Sequence, residues 1–232
     1  MKLNEWEKLA DEATVIQDAK NKVIKHKLLD CVHGVGGSKT INIFDYGCGW
    51  GEWADILHNE GYEKIEAYDE ADEMVVQAIS KFGNNVKFHH RSEFKGSIEN
   101  FKSRFDIVTS NLVLCILEKD KQLEMLGYVK AILKKDGTAL ISFCHPCFDY
   151  DPEAVVSTRV APENAIYSEA FTYEKTIREN GLHFHDLHRP LEYFSDLFKE
   201  AGFSILEIKE SEVLGTSFKP DFIIFKMKPI AA

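Results

Sequence analysis

The sequence lacks a long apolar run and an apolar leader. No stretch approaches the ~20 consecutive apolar residues that a membrane-spanning helix needs. The first residues are charged and amphipathic, so they do not form the apolar core of a signal peptide. We therefore expect a cytoplasmic protein that has no contact with a membrane.

Cysteine is scarce and basic residues are outnumbered. The five cysteines are an odd number in a chain without a secretion signal, so reduced thiols are expected. Lysine and arginine total 28 against 38 acidic residues, which leaves a formal net charge of −10. Because affinity for nucleic-acid phosphates rests on lysine and arginine, this balance disfavours nucleic acid as a partner. A small-molecule substrate is the expected partner, and the sequence predicts no oligomeric state.

What the sequence does contain is a regular alternation of short apolar strands and amphipathic helices. Its 232 residues suit one domain with one core. Apolar residues at helical spacing predict one helix over residues 1–30. The predicted strands of the main domain are 41–44, 65–68, 86–89, 105–110, 138–143, 203–209 and 222–228. With helices between them, this order predicts a doubly wound α/β sheet with helices on both faces.

Two segments interrupt that alternation. Residues 134–137 are expected to end the helix before the fifth strand, because they are polar and finish on glycine. Residues 144–190 are rich in histidine, proline and aromatic residues and show no clean period. We interpret them as an insertion in a single domain that covers residues 1–232.

A glycine-rich turn follows the first strand, with the sequence Asp45-Tyr46-Gly47-Cys48-Gly49-Trp50-Gly51. Glycines between a strand and a helix leave backbone amides uncovered, so a ligand can approach closely. The third glycine comes one residue earlier than in the dinucleotide pattern Gly-x-Gly-x-x-Gly. Asp45 is poorly matched to a pyrophosphate and well placed to meet an ammonium group. This spacing disfavours a nucleotide-dependent oxidoreductase, which remains an alternative.

Asp69 ends the second predicted strand. An acid at that position hydrogen-bonds the hydroxyl groups of an adenosine ribose. The alternative is that Asp69 caps the helix over residues 70–82. The strand–turn–helix context favours ligand binding.

Four segments together resemble the class I S-adenosylmethionine-dependent methyltransferases. They are the glycine turn, the fourth-strand segment 105–114, the segment 133–140 before the fifth strand, and Ala201-Gly202-Phe203. The resemblance covers residues 40–228. It implies S-adenosylmethionine as cofactor and a Rossmann-like, mostly parallel sheet with an antiparallel last strand. His188-Arg189-Pro190-Leu191 resembles the members of the family that act on small molecules.

The resemblance also implies which residues contact the cofactor. The turn would face the methionine part, Asp69 the ribose, and Glu70 and Met74 the adenine side. The third-strand loop borders adenine, and Asn111 would lie under the methionine part. Many relatives carry an acid in that loop, where this chain has His90-Arg91-Ser92. The full predicted set is Asp45, Gly47, Cys48, Gly49, Asp69, Glu70, Met74, Arg91, Ser92 and Asn111.

Methyl transfer from a sulfonium is mainly a matter of alignment and exclusion of water. A general base is needed only if the acceptor arrives protonated. The insertion at 144–190 is expected to cover the acceptor. Its candidate catalytic residues are His145, Tyr173, His185 and His188, although each histidine can also be a hydrogen-bonded structural residue.

Some of these segments also bear on a metal site and on other classes of methyltransferase. Cys144 and Cys147 have the spacing of half a zinc site, but the later histidines give no second half, so we predict no metal. Ser110-Asn111-Leu112-Val113 stands where DNA amino-methyltransferases usually carry Asn/Asp-Pro-Pro-Tyr, which disfavours that class. An RNA or protein methyltransferase and a non-catalytic relative remain alternatives. The helix at 1–30, with Trp6, either packs on the sheet or acts as a lid, as in many relatives.

Overall fold

A computed structural model describes residues 19–36, 38–147, 157–177, 181, 183–213 and 219–230. Its centre is a seven-stranded sheet. The strands are β1 (Asn42–Tyr46), β2 (Lys64–Tyr68), β3 (Lys87–His89), β4 (Phe105–Asn111), β5 (Leu133–Cys144), β9 (Phe203–Glu210) and β10 (Phe222–Pro229). They lie in the order β3-β2-β1-β4-β5-β10-β9. Neighbours among β1–β5 pair in parallel, whereas β10 is antiparallel to both β5 and β9.

Helices cover both faces of this sheet. They are α1 (Ala19–Val35), α2 (Glu52–Asn59), α3 (Asp72–Phe82), α4 (Arg91–Gly96), α5 (Lys119–Ile132) and α6 (Leu191–Glu200). Successive strand residues point to opposite faces, so Ile43 joins the cluster under α1–α3 while Phe44 joins the cluster under α4–α6. The doubly wound, Rossmann-like fold predicted from the sequence is confirmed.

One predicted boundary in this domain is wrong. Residues 134–137 do not form a turn after α5, because β5 already begins at Leu133. The β4–β5 pairing shifts register between Phe105 and Ile107, and this irregularity accommodates the extra extended residues. Gly137 lies so close to β4 that a Cβ atom would be 3.0 Å from the Phe105 carbonyl oxygen. The glycine that predicted a turn therefore permits close strand packing.

The insertion contains a second sheet, which the sequence did not predict. Strands β6 (Ser157–Val160), β7 (Phe171–Ile177) and β8 (His183–His188) pair antiparallel in the order β6-β7-β8. Strands are recognised by alternating apolar and polar residues, and here the buried positions carry polar residues as well. Because polar residues occupy these buried positions, the alternation that would identify the strands is not visible in the sequence. Residues 148–156, 178–180 and 182 lie outside the described part of the insertion.

The N-terminal prediction is only partly covered by the structure. Helix α1 runs from Ala19 to Val35, and its residues Ile24, Leu28 and Val32 are buried in the core. Trp6 and the rest of residues 1–18 lie outside the described residues, so the lid remains a prediction. No helix in the described ranges has the length and apolar character required to cross a membrane.

Candidate cofactor and acceptor site

The predicted site lies where the parallel strands end. Asp45 pairs with Ala67 of β2 and Thr109 of β4, so the ends of three strands lie side by side. In open α/β sheets, ligands bind in the crevice outside these carboxyl ends. Strand order alone therefore brings the glycine turn, Asp69 and Asn111 to one edge of the sheet.

The glycine turn is held against the end of β2. The backbone amides of Gly47 and Cys48 both donate to the Tyr68 carbonyl oxygen, at 2.7 and 2.9 Å. The φ angles of Gly47, Gly49 and Gly51 are 79°, 52° and 83°. These are left-handed values that side chains of L-residues rarely adopt, so glycine is required for this conformation.

The three glycines differ in what surrounds them. A Cβ atom on Gly47 would be 2.3 Å from Cγ2 of Val113, and one on Gly51 would be 2.7 Å from the Phe88 ring. A Cβ atom on Gly49 would meet nothing within 4 Å. The outer glycines thus allow close packing, whereas the middle glycine faces open space from which a ligand can approach.

Alanine substitutions should separate these two roles. Gly47→Ala is expected to lower the free energy of unfolding by about 2 to 5 kcal/mol, since it combines left-handed strain with overpacking against Val113. Gly49→Ala should cost only about 1 to 2 kcal/mol, because it adds strain without a clash. Urea denaturation of both variants measures the difference. Equal losses, or a larger loss for Gly49→Ala, would contradict this assignment.

The carboxylate of Asp69 is oriented by two backbone amides. Oδ2 accepts from the Gly49 amide at 2.8 Å, and Oδ1 accepts from the Ala71 amide at 2.9 Å. An ionised carboxylate has about four acceptor positions, so each oxygen can still accept another hydrogen bond. A vicinal diol has two donors with matching geometry. The helix-cap alternative is wrong, because the N-cap of α3 is Ala71 and no side chain caps that helix.

Asp45 is a buried acid with one oxygen held and one unused. It is 1% exposed. The Thr109 hydroxyl donates to Asp45 Oδ1 at 3.1 Å and accepts from Trp53 Nε1 at 3.0 Å. Within the part of the chain that the structure describes, Oδ2 has no hydrogen-bond partner. Burial raises the pKa of Asp45 to about 7; the Thr109 hydrogen bond opposes this and the nearby Asp69 adds to it.

Two acids of raised pKa close to each other specify the charge of the ligand. Burial is also the main reason why the pKa of Asp69 lies above its usual value. A pyrophosphate would add negative charge to this edge, which the two acids oppose. A ligand with an ammonium group, a sulfonium and a ribose diol supplies positive charge and donors. The residues present therefore fit S-adenosylmethionine.

The other residues predicted to contact the cofactor lie around the same edge. Cys48 is buried, and burial raises the pKa of its thiol well above the usual value. Glu70 is ion-paired with Lys95 at 2.7 Å, and Met74 is buried at the start of α3. Asn111 ends β4, and its Oδ1 accepts from the Ser142 hydroxyl at 2.8 Å.

Arg91 and Ser92 begin α4 directly after the third-strand loop, and both side chains are exposed. The Arg91 backbone amide donates to Oδ1 of Asp72 at 2.9 Å. This contact ties the loop to the first turn of α3. The role of the two side chains at adenine stays a prediction.

The four candidate catalytic residues for the acceptor lie in different environments in the structure. His145 accepts from the Cys147 amide through Nδ1 at 3.1 Å, so Nε2 carries the proton and donates to Glu210 at 3.0 Å. His185 is exposed on β8. Tyr173 and His188 are buried on the opposite face of the second sheet.

These last two residues have defined partners. The Tyr173 hydroxyl donates to Oδ2 of Asp186 at 3.1 Å, and His188 Nε2 donates to the Tyr167 carbonyl oxygen at 2.9 Å. In the described ranges, no three histidine, cysteine or acidic side chains are grouped to hold a metal ion.

Residues 20–208 match the family described as methyltransferase domain. The chain belongs to this methyltransferase family. A protein from Geobacillus sp. (strain WCH70) that is named as a methyltransferase is 28% identical, and the match covers 88% of this chain and 87% of the relative. The match agrees with the class I, S-adenosylmethionine-dependent family predicted from the sequence, whose members take their methyl group from S-adenosylmethionine.

Solved structures share the fold of this methyltransferase. An S-adenosylmethionine-dependent methyltransferase from Leishmania major superposes with a TM-score of 0.67 at 13% identity, covering 97% of this chain and 81% of that one. The 1,6-didemethyltoxoflavin-N1-methyltransferase of Burkholderia thailandensis, solved with bound 1,6-didemethyltoxoflavin and S-adenosylhomocysteine, has a TM-score of 0.63 at 14% identity. It covers 99% of this chain and 87% of that structure. At such identities the likeness establishes the fold.

Several residues that shape the site of this methyltransferase were missed from the sequence. Thr109 holds Asp45, Trp53 in turn donates to Thr109, and Val113 packs on Gly47. Thr109 had a usable signal, since it is a polar residue directly after the apolar Ile107 and Val108, in a strand that pairs beside β1. Lys175 and Asp186 of the second sheet had none, because their strands were not recognised.

Proposed function

We propose that this methyltransferase moves the methyl group of S-adenosylmethionine to a small-molecule acceptor. The observation that carries the proposal is the pair of acids at the carboxyl ends of the strands. Asp45 is buried and one of its oxygens has no hydrogen-bond partner among the described residues, while the carboxylate of Asp69 is oriented to accept from both hydroxyls of a ribose. The net charge of −10 favours a small molecule over RNA. The Burkholderia neighbour of the same fold, which is named for the small molecule 1,6-didemethyltoxoflavin, supports this choice.

The residues take distinct roles in this proposal. Asp69 accepts from the ribose hydroxyls, Asp45 faces the ammonium group, and Gly49 lets the methionine part approach the backbone. S-adenosylmethionine, when bound, supplies an electrophilic methyl group with a thioether as leaving group. The acceptor gives an electron pair to the methyl carbon, and a protonated acceptor also loses a proton. Tyr173 and His188 are the proposed residues for orienting the acceptor or taking that proton.

The second sheet is assigned the covering role in a single domain of residues 1–232. Strands β6–β8 lie between β5 and α6 in the chain, and β5 ends at the edge that carries the cofactor residues. Covering this edge would exclude water during transfer.

Ligand-dependent stabilisation tests the donor. S-adenosylhomocysteine at one hundred times its dissociation constant is expected to stabilise the protein by about 2.7 kcal/mol, measured by thermal unfolding. NAD at the same concentration should leave the unfolding temperature unchanged, because its pyrophosphate meets two acids. Stabilisation by NAD, together with none by S-adenosylmethionine or S-adenosylhomocysteine, would refute the proposal.

A further inference from the structure

The buried side of the second sheet, which we call the inner face, carries polar side chains as well as the aromatic Phe171. Side chains alternate along a strand, so Tyr173 and Lys175 of β7 share a side with Asp186 of β8. On the other side, Glu174 and His185 are exposed, whereas Thr176 and Leu187 are half-buried. An antiparallel sheet with one solvated face normally packs apolar side chains on the other. The inner face departs from that pattern.

Lys175 and Asp186 are charged residues that the fold removes from water. They are 6% and 7% exposed, and Lys175 Nζ donates to Asp186 Oδ2 at 3.0 Å. The same oxygen accepts from the Tyr173 hydroxyl. Burial alone lowers the pKa of Lys175, but Cys144 and Asp186 outweigh it, and the pKa lies above its usual value. The side chain is therefore a buried ammonium, and such an arrangement stabilises a fold less than apolar packing does.

A second cation lies directly across from the first. Arg159 of β6 is the register partner of Lys175, so the two positive side chains project from neighbouring strands on one face. The Arg159 guanidinium also lies 5.6 Å from the centre of the Tyr173 ring. Like charges opposite each other destabilise a sheet. Asp186 places one negative charge beside these two positive ones, so an anion bound between the cations would balance the remaining charge of the three side chains.

The inner face lies against the strand ends that carry the cofactor residues. Lys175 is near enough to Cys144, the last residue of β5, for the two side chains to interact electrostatically. Arg189, which follows β8, donates from Nη1 to the carbonyl oxygen of Cys115 beyond the end of β4, at 3.3 Å. The inner face therefore borders the place where an acceptor would meet the methyl group.

We propose that Lys175 and Arg159 bind an anionic group of the methyl acceptor, either a carboxylate or a phosphate. Asp186 positions the Lys175 ammonium, and Tyr173 packs beside Arg159. The proposal rests on the proposed function, whose substrate class it narrows to acidic small molecules. Both cations present nitrogen donors, and hydrogen bonds between ionised groups are the stronger ones.

Anion binding to the protein saturated with S-adenosylhomocysteine tests the proposal. Sodium phosphate and sodium acetate are titrated separately by calorimetry at ionic strength held constant with sodium chloride. Saturable binding of at least one anion is expected, and the one that binds tells a phosphate group from a carboxylate. The double variant Lys175→Met/Asp186→Asn should weaken that binding about tenfold or more. It keeps the net charge and leaves no unpaired charge in the pair.

Two further variants guard against indirect effects. Lys209→Met/Glu207→Gln removes an exposed ion pair on β9 and likewise keeps the net charge, so it should bind the anion as the wild type does. Arg159→Gln leaves the Lys175–Asp186 pair intact and should also weaken binding about tenfold. No saturable binding of either anion, or equal binding by all variants, would overturn the inference.

The donor is measured separately, so the two failures can be told apart. If the wild type does not bind S-adenosylhomocysteine, the proposed function fails, and the anion titration is run on the free protein. If S-adenosylhomocysteine binds and neither anion does, the proposed function stands and the anionic acceptor is rejected.

Discussion

Asp69→Ala is expected to weaken S-adenosylmethionine binding by at least about tenfold, the effect of losing one hydrogen bond, and by up to about ten-thousandfold if both are lost. The wild-type carboxylate can accept two hydrogen bonds from the ribose diol, and hydrogen bonds to charged groups contribute about 1.5 to 3 kcal/mol each. A loss of about 1.4 kcal/mol is a tenfold change in affinity. The substitution also frees the Gly49 amide, which Asp69 holds at 2.8 Å. Calorimetric titration of the purified variant measures the effect.

Glu73→Ala is the matched control for Asp69→Ala. Glu73 is an exposed acid in the first turn of α3, so its removal changes the net charge equally without touching the turn. Its affinity should equal that of the wild type. If the Asp69→Ala protein is folded and binds as tightly as the control, Asp69 does not hold the ribose.

Asp45→Asn is expected to change cofactor binding and the pH dependence of stability together. The pKa of Asp45 rises from 3.8 to about 7 on folding, so the folded protein binds the extra proton between these values. The contribution of Asp45 to the free energy of unfolding of the protein therefore falls as pH increases across that window, by at most about 4 kcal/mol. The asparagine side chain of the variant cannot titrate. The cofactor-free variant should become more stable relative to wild type from pH 5 to pH 8.

Binding should follow the opposite trend. Ionised Asp45 attracts the ammonium group, so the affinity of wild type for S-adenosylmethionine should increase as pH rises toward 8. The variant should bind about tenfold or more weakly at pH 8, since it lacks a charged partner. Its affinity should also change less with pH.

Thermal unfolding and calorimetry at several pH values measure both effects of Asp45→Asn. Asp30→Asn, at an exposed position of α1, is the control, and its unfolding temperature should parallel that of wild type. Parallel curves for Asp45→Asn as well would show that Asp45 does not titrate near pH 7 in the folded protein.

The elements of the main domain could be predicted because their signals are local. Helix α2 (Glu52–Asn59) has such a signal, since Trp53, Ala54 and Leu57 form its buried side and Gly61 follows its end. Buried strands such as β10, which begins Phe222-Ile223-Ile224-Phe225, show as short apolar runs. The alternation of strands and helices along the chain then predicts a parallel sheet, because parallel neighbours must be joined by crossover connections.

The second sheet could not be predicted, because its buried positions are polar. Lys175 and Asp186 read as solvent-exposed residues in sequence, and only their pairing across β7 and β8 makes their burial possible. Similarly, His145 and His185 looked equivalent as candidate bases. In the structure His145 is tied to Glu210 of β9, while His185 lies on the exposed face of the second sheet.

The sequence by itself determined the fold class, the family and the glycine turn, since each depends on residue type at short spacing along the chain. Only the tertiary structure decided the pKa values and hydrogen bonds of the acids at the site. Thr109 reaches Asp45 from a neighbouring strand, and burial keeps the other oxygen of Asp45 from water. Strand register likewise decided that Arg159 and Lys175 face each other. Charge in a buried site depends on neighbours distant in sequence, because desolvation and pairing are properties of the packed protein.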